Sequence, residues 1–258
     1  MTQFALVLGF ALVFLVLERA RPGRELPQSP GWYARTLLLN GCQFGIVLLA
    51  GVAWNQWLRG WSLFEIGEWP SVVQGLTGWF IGTFVFYWWH RGRHKVDLFW
   101  RVFHQVHHSA SRIEVLTSFY KHPLEMAANS ILSGAIMFPL LGASTEGAAW
   151  FNVFAAVGEY FYHANLRTPH WFGYLIQRPE HHSIHHQDGV HDFNYGDITW
   201  WDRLFGTFKD TSEFAPRCGF SAAWRRTWAA CSRFALTMSE PNTGRKEKSP
   251  CCCFLRLS

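Results

Sequence analysis

The sequence predicts an all-α fold: a polytopic membrane bundle of about four to five helices beneath a cytoplasmic helical cap. Three observations carry this expectation. Long apolar runs recur along the 258 residues. Aromatic residues make up 17% of the chain, with 15 Trp and 23 Phe, while charged residues make up only 16%, against about 25% in ordinary soluble domains. Histidines gather in motifs that follow the apolar runs.

The first run, residues 3–17, is almost continuously apolar and is followed by Glu18, Arg19, Arg21 and Arg24. A signal peptide carries its positive charge before the apolar run and a small-residue cleavage site after it. Neither feature occurs here, so the stretch reads as a short membrane helix. Pro22, Pro27 and Pro30 mark a loop. A second run covers residues 37–57, interrupted by Asn40, Gln43, Asn55 and Gln56, and a third covers 72–89 and leads directly into His90. Each approaches the roughly 20 residues that cross a hydrocarbon core. Residues 124–141 and 148–162 flank a turn at 142–147 and read as a helical hairpin, less apolar than the runs before it.

A net charge of +5 raises the question of nucleic acid, but no nucleic-acid motif accompanies the basic residues. An anionic membrane surface is the simpler partner. Arg19, Arg21, Arg24 and Arg35 lie in the first loop. Arg59 in the second is balanced by Glu65 and Glu68, and Arg91, Arg93, Lys95 and Arg101 follow the third run. The positive-inside rule then places the first loop and the end of the third run in the cytoplasm. The hairpin returns His163 to that same face.

The six cysteines form no framework: Cys42 is in an apolar run, Cys218 and Cys231 are isolated, and Cys251, Cys252 and Cys253 end a polar tail. Without CxxC pairs or secretory spacing they read as reduced thiols. The chain divides into N-terminal membrane helices and loops (residues 1–71), a domain that carries the histidine motifs (72–208), an interfacial amphipathic segment (209–238) and a disordered tail (239–258). Within the third segment, Trp224, Trp228 and Cys231 share one face while Arg225, Arg226 and Arg233 lie elsewhere. An interfacial helix and an ordinary packing helix fit this pattern equally.

The motifs carry the chemistry. His90 and His94 come first, then His104, His107 and His108, and far downstream His182, His185 and His186, with His163 between. On a helix, positions i, i+3 and i+4 share one face, so each cluster is expected to aim its imidazoles one way. One metal takes about four to six ligands, so nine histidines suit two ions. An all-imidazole pair at a membrane face points to non-haem iron and O₂. Carboxylate-bridged di-iron bundles use Glu-x-x-His, and that spacing is absent. Zinc is the competitor by ligand type.

The order HRxxH, HQVHHS, lone His163, HHSIHH, NYG and WDRLFGT resembles the fatty acid hydroxylase/sterol desaturase superfamily over roughly His90 to Phe208. The likeness is strongest to its bacterial sterol desaturase-like and alkylglycerol monooxygenase-like branches. It implies a membrane oxidoreductase with two Fe ions and O₂ as co-substrate. Such an enzyme hydroxylates or desaturates a fatty acyl, sterol or isoprenoid chain. Its electrons come ultimately from NAD(P)H through a separate cytochrome b5-like or ferredoxin-like donor. The implied metal ligands are His90, His94, His104, His107, His108, His163, His182, His185 and His186. His122, in a Lys-His-Pro-Leu-Glu125 stretch that resembles a family HPxE element, is either a ligand or a group behind the ligands. His181 falls in the latter class, and His170 and His191 are expected outside the ligand set. Asn165 and Asn194 are candidates for orienting water or ligands. Glu159, Asp188, Asp197 and Asp202 are candidates for holding the second ring nitrogens. The Trp201-Asp202-Arg203 stretch reads as structural, fixing the chain beside the site.

The rivals are a metal transporter or sensor, from another class, a haem-binding cytochrome and a zinc-dependent membrane enzyme. The cytochrome needs only paired histidines across two helices, and nine overshoot it. A His-rich metal transporter or sensor needs ionisable residues within its spans, yet only Glu125 and Glu159 lie there, near the ends of the hairpin. A zinc-dependent membrane enzyme needs no oxygen chemistry at all.

Overall fold

The structure is a computed structural model and describes residues 2–58 and 60–220. Among these the chain is helical, with two isolated β-bridges, Ile176 to Ile198 and Gln187 to Cys218, and no strand.

Two helices, α1 (Thr2–Ala20) and α2 (Trp32–Trp57), are long and apolar enough to cross a bilayer by length and composition. Leu8, Leu12 and Val16 on α1 and Leu37, Leu38 and Leu49 on α2 are exposed, as lipid-facing side chains are. The third helix, α3 (Ser71–Lys95), continues six residues past the apolar run that announces it. Its last turns therefore carry His90, Arg93 and His94.

After α4 (Asp97–Phe99) the chain winds through a π turn, Trp100–His104, into α5 (Gln105–His108). Next come α6 (Pro123–Ala135), a second π turn (Ile136–Leu140) and α7 (Thr145–His163). Pro139 lies inside that second π turn, where a residue without an N–H interrupts the α-helical ladder. Two short helices follow, α8 (Pro179–His185) and α9 (Thr199–Leu204). Their starts obey local rules: Pro123 and Pro179 open α6 and α8, where the missing N–H costs nothing. Ser144 caps α7 by accepting Gly147 N at 3.0 Å.

The expected hairpin packs against other helices. α6 lies along α2, where Trp54 donates to Ser130 at 2.8 Å, and α7 lies between α3 and α1. Gly75, Gly78 and Gly82 form the α3 face that meets Trp150 and Phe151 of α7 and Met137 of the second π turn. Small residues let the backbones approach closely. That approach brings the C-terminal ends of α3 and α7, with their histidines, to one level.

Below the site two buried carboxylates tie the elements together. Glu18 accepts the backbone N–H groups of Val115 and Asn165, each at 3.0 Å. Glu114 accepts Trp32 Nε1 at 2.6 Å, and Arg19 and Arg112 at 2.7 Å each. They join α1, α2, the 112–117 loop and the chain after α7.

Residues 209–220, expected as part of an amphipathic segment, are irregular. They fold back on α8, with Ala215 N donating to Ser183 Oγ at 2.9 Å and Asp188 N to Arg217 O at 3.0 Å. Pro216 and Gly219, the latter at φ 80°, suit this turning path better than a helix. The expected helix over 222–236, the tail and the Cys251–Cys253 triplet lie outside the described residues.

Candidate metal centre

All nine expected ligands converge, but the motifs are divided between two groups. One group is His90, His94, His104, His108 and His185; the other is His107, His163, His182 and His186. Within each, the ligand atoms lie within 4.8 Å of one another. The expectation that each cluster aims one way therefore needs correction. His104 and His108, four apart, enter the first group while His107 enters the second. In α8 the assignment is reversed: His182 and His186 enter the second group and His185 the first. Residues three and four apart on a helix differ in direction by about 100°, and in these short elements that difference separates two sites. The groups share a wall, where the rings of His108 and His186 stack with centroids 4.3 Å apart.

The ring nitrogens show how the groups are prepared. His90 Nδ1 donates to the Tyr195 carbonyl at 2.7 Å, His163 Nδ1 to Glu159 O at 2.9 Å, His185 Nδ1 to Phe193 O at 2.8 Å and His107 Nδ1 to Tyr120 O at 3.3 Å. A carbonyl only accepts, so each of these rings carries its proton on Nδ1 and turns a lone pair inward from Nε2. His104 Nδ1 meets the Glu125 carboxylate at 2.9 Å, with Nε2 again inward. The inward atoms crowd: His90 Nε2 to His104 Nε2 is 3.0 Å and His107 Nε2 to His163 Nε2 is 3.3 Å. Lone pairs do not attract one another at such distances, whereas a cation between them would satisfy both. A proton is a poor substitute, because burial holds the imidazoles of His104, His107 and His108 well below their ordinary range and pushes His185 down to about 3. His108 is fully buried, and neither ring nitrogen has a hydrogen-bond partner among the described residues. His185 Nε2 is in the same position. Orphaned buried nitrogens of this kind are rare, and metal ions fit the donor set.

Behind the ligands, the sequence reading found part of the support. Asp202 accepts Tyr195 N and Gly196 N at 2.8 Å each and Thr207 Oγ1 at 2.7 Å. It holds the chain beside the site, as expected of the WDRLFGT stretch. Burial pushes its carboxyl up to about 6. Glu159 meets His163 mainly through its carbonyl, and its carboxylate pairs with Lys121. Asp197 is half-buried, and its carboxyl is pushed up to about 7, chiefly by desolvation and then by Glu159. Asp188 faces away and pairs with Arg217.

His122, His181, His170 and Asn165 are turned away from both groups. His122 caps α6 through Nδ1, which accepts Leu124 N at 3.2 Å. His181 is buried but turned to Asp210 at 2.9 Å, and His170 meets the same carboxylate at 3.2 Å. Asn165 is tied to Arg24, not to the site. His191 lies beside the first group, its ring 5.0 Å from that of His108.

Asn194 acts through its backbone. At φ 56° it is the non-glycine residue with positive φ among those described, a conformation asparagine tolerates better than most. The twist aims the flanking carbonyls of Phe193 and Tyr195 at His185 and His90. Its side chain locks that shape, donating to His181 O and Lys209 O at 3.0 Å each and accepting Lys209 N at 2.8 Å. Sequence reasoning missed Glu125, which is fully buried, holds His104 and pairs with buried Arg93. The HPxE likeness was the available signal, read there for its histidine.

Comparison with known proteins agrees with this geometry. Alkylglycerol monooxygenase of Xenopus tropicalis is 27% identical over 65% of this chain and 38% of its own length. Lathosterol oxidase of Rattus norvegicus is 28% identical over 61% of this chain and 54% of its own length. Fatty acid hydroxylase vlmA of a Lecanicillium species is 30% identical over 65% of this chain and 47% of its own length. The chain thus spans from 38% to 54% of the length of these curated relatives. No solved structure matches. A sequence model described as fatty acid hydroxylase matches residues 75–207, more than half of the chain and a span containing all nine converging histidines, so the chain belongs to the fatty acid hydroxylase family.

Proposed function

We propose that the protein is an O₂-dependent membrane di-iron oxygenase. It hydroxylates a C–H bond of a lipid, a fatty acyl, sterol or isoprenoid chain, or desaturates it where a second hydrogen is removed. The observation that carries this reading is the pair of adjacent, buried, all-imidazole groups whose Nε2 atoms converge while their Nδ1 atoms are held by the protein. His90, His94, His104, His108 and His185 would hold one iron, and His107, His163, His182 and His186 the other. Two irons supply O₂ activation and one-electron chemistry that the side chains lack. The chain itself fixes ring orientation through Tyr195, Phe193, Glu159 and Glu125, and excludes water by burial. Relatives named for ether-lipid, sterol and fatty-acid oxidation support a lipid substrate, and they do not favour a transporter or sensor.

The reading includes a topology. α3 and the α6–α7 pair join α1 and α2 as membrane elements. The basic residues of the 18–35 loop and of the end of α3 support a site on the cytoplasmic face. Arg93 drops out of that count, since it is buried against Glu125. Substrate enters laterally from the bilayer, and a separate cytochrome b5-like or ferredoxin-like protein delivers electrons originating in NAD(P)H.

The test is metal analysis of protein purified gently from iron-supplemented cells, with Mössbauer spectra on ⁵⁷Fe. About two irons per chain, the number that nine imidazoles suit, and a coupled di-iron signal are expected. Stoichiometric zinc, with no O₂-dependent turnover of lipid after iron reconstitution, would overturn the proposal.

A further inference from the structure

α9 and the 3₁₀ turn His170–Tyr174 leave a large apolar face uncovered. α9 has two sides. Trp201 and Phe205 face α3: Trp201 lies 5.0 Å from the Phe84 ring and donates to Thr83 Oγ1 at 2.9 Å, and Phe205 lies 4.7 Å from Trp88. Trp200 and Leu204 face outward, 48% and 68% exposed. Beside them, on the 3₁₀ turn His170–Tyr174 and just after it, Trp171, Tyr174 and Leu175 are also exposed. Trp200 Nε1 donates to Tyr174 O at 2.9 Å, which joins the two elements into one patch.

The position of this patch along α3 decides what covers it. Phe80 and Phe84, against which Trp201 packs, precede His90 by about 15 and about 9 Å of helix rise. α9 is therefore level with the apolar part of α3, not with its polar end. The exposed stripe Leu76, Phe80, Phe84 and Trp88 of α3 runs alongside it, so one apolar surface passes from the long helix onto the cap. Its composition is that of a membrane boundary, where Trp and Tyr place an apolar ring in lipid and a polar tip outside it. Arg203 lies over the Phe208 ring at 3.9 Å and over Tyr174 at 5.7 Å, and donates to Gly173 O at 3.2 Å, a second tie between α9 and the turn.

We propose that α9 and the His170–Tyr174 turn form an interfacial anchor whose outer face, Trp171, Tyr174, Leu175, Trp200 and Leu204, lies in the headgroup–acyl boundary of the bilayer. The inference rests on the membrane reading of α1, α2 and α3. Because Asp202 of the same helix holds Tyr195 and Gly196, the anchor connects the lipid surface to the strip of chain that orients His90.

The experiment uses the full chain in phospholipid nanodiscs, with other reactive cysteines replaced by serine and a bimane label at one new cysteine. Leu204→Cys is compared with Leu12→Cys on α1 and with Glu213→Cys on an exposed loop. The expected result is quenching of the Leu204 label by doxyl-bearing lipid, comparable with that at Leu12, together with protection from aqueous iodide. A Leu204 label that behaves like the Glu213 label, open to iodide and blind to doxyl lipid, overturns the anchor. Shielding that arises only when a redox protein is added also overturns it and marks a donor-docking face. Loss of lipid quenching at Leu12 as well would instead strike the membrane reading beneath it.

Discussion

His90 turns its Nδ1 to the carbonyl oxygen of Tyr195 at 2.7 Å, across 105 residues of sequence. That carbonyl points there because Asn194 adopts a left-handed backbone, and the carbonyl on its other side serves His185. Asn194→Ala removes three side-chain hydrogen bonds and disfavours the conformation. We expect destabilisation of about 2–4 kcal/mol and metal retention weakened about 10- to 100-fold, the usual effect of losing support behind a ligand. Asn194→Gly keeps the backbone shape, so it should retain more metal than the alanine variant at similar loss of clamping. Chelator competition compares the two; equal metal retention in both would separate the twist from the site.

Glu125 holds His104 from behind and neutralises Arg93 in a fully buried setting. Glu125→Gln leaves a buried guanidinium without its counter-charge, which costs about 3–5 kcal/mol. Thermal unfolding should show this loss, and metal should leave the first group ahead of the second.

The division of the HxxHH motif makes a sharper prediction. His107→Ala touches one group and His108→Ala the other. Native mass spectrometry should find each single variant falling from about two ions to about one, with different residual spectra. Identical spectra from the two variants would sink the two-group assignment.

A Cβ at Gly75 would meet the backbone of Trp150 and Phe151, with Phe151 N at 2.8 Å. Backbone cannot step aside as a side chain can, so Gly75→Ala should separate α3 from α7 and cost about 1–3 kcal/mol. The variant should also bind metal less tightly, because His163 and the α3 histidines move apart.

Asp202 gives a pH dependence. Burial raises its carboxyl to about 6, against the hydrogen bonds from Thr207, Gly196 and Tyr195 that oppose the shift. Between roughly pH 4, where the unfolded carboxyl ionises, and about pH 6, the folded state binds the extra proton. The stability contribution is therefore present at low pH, falls as pH rises through that window and is flat above it. Asp202→Asn should remove this slope while lowering stability throughout, as read by thermal unfolding in detergent at pH 4.5, 5.5 and 7.

Much of the fold was legible because apolar runs mark helices directly. The runs at 3–17, 37–57 and 72–89 correspond to α1, α2 and α3, but hydrophobicity stops before the helix does, so the apolar run alone does not show that α3 carries His90 and His94. The histidines themselves were legible by number and spacing. Their partition was not, since i+3 and i+4 neighbours separate only once the direction of each short helix is fixed in space. The supports were least legible. Glu18 and Glu114 look like loop charges in a sequence, and Glu125 stands in the hairpin with no sign of Arg93 as its partner; all three are buried where distant N–H and guanidinium groups meet them. Asn194 gives no sign of its backbone twist until Phe193 and Tyr195 have partners about 8 and 105 residues away.

The reversed assignment of ligands in α5 and α8 has a consequence for how this chain can change. Each of these elements contributes to both groups, so neither group is a separable module. One residue inserted between His104 and His107, or between His182 and His185, would rotate the downstream histidines of that element by about 100° and exchange ligands in both groups at once. Side chains nearby can vary singly, whereas the count of residues between those histidines cannot.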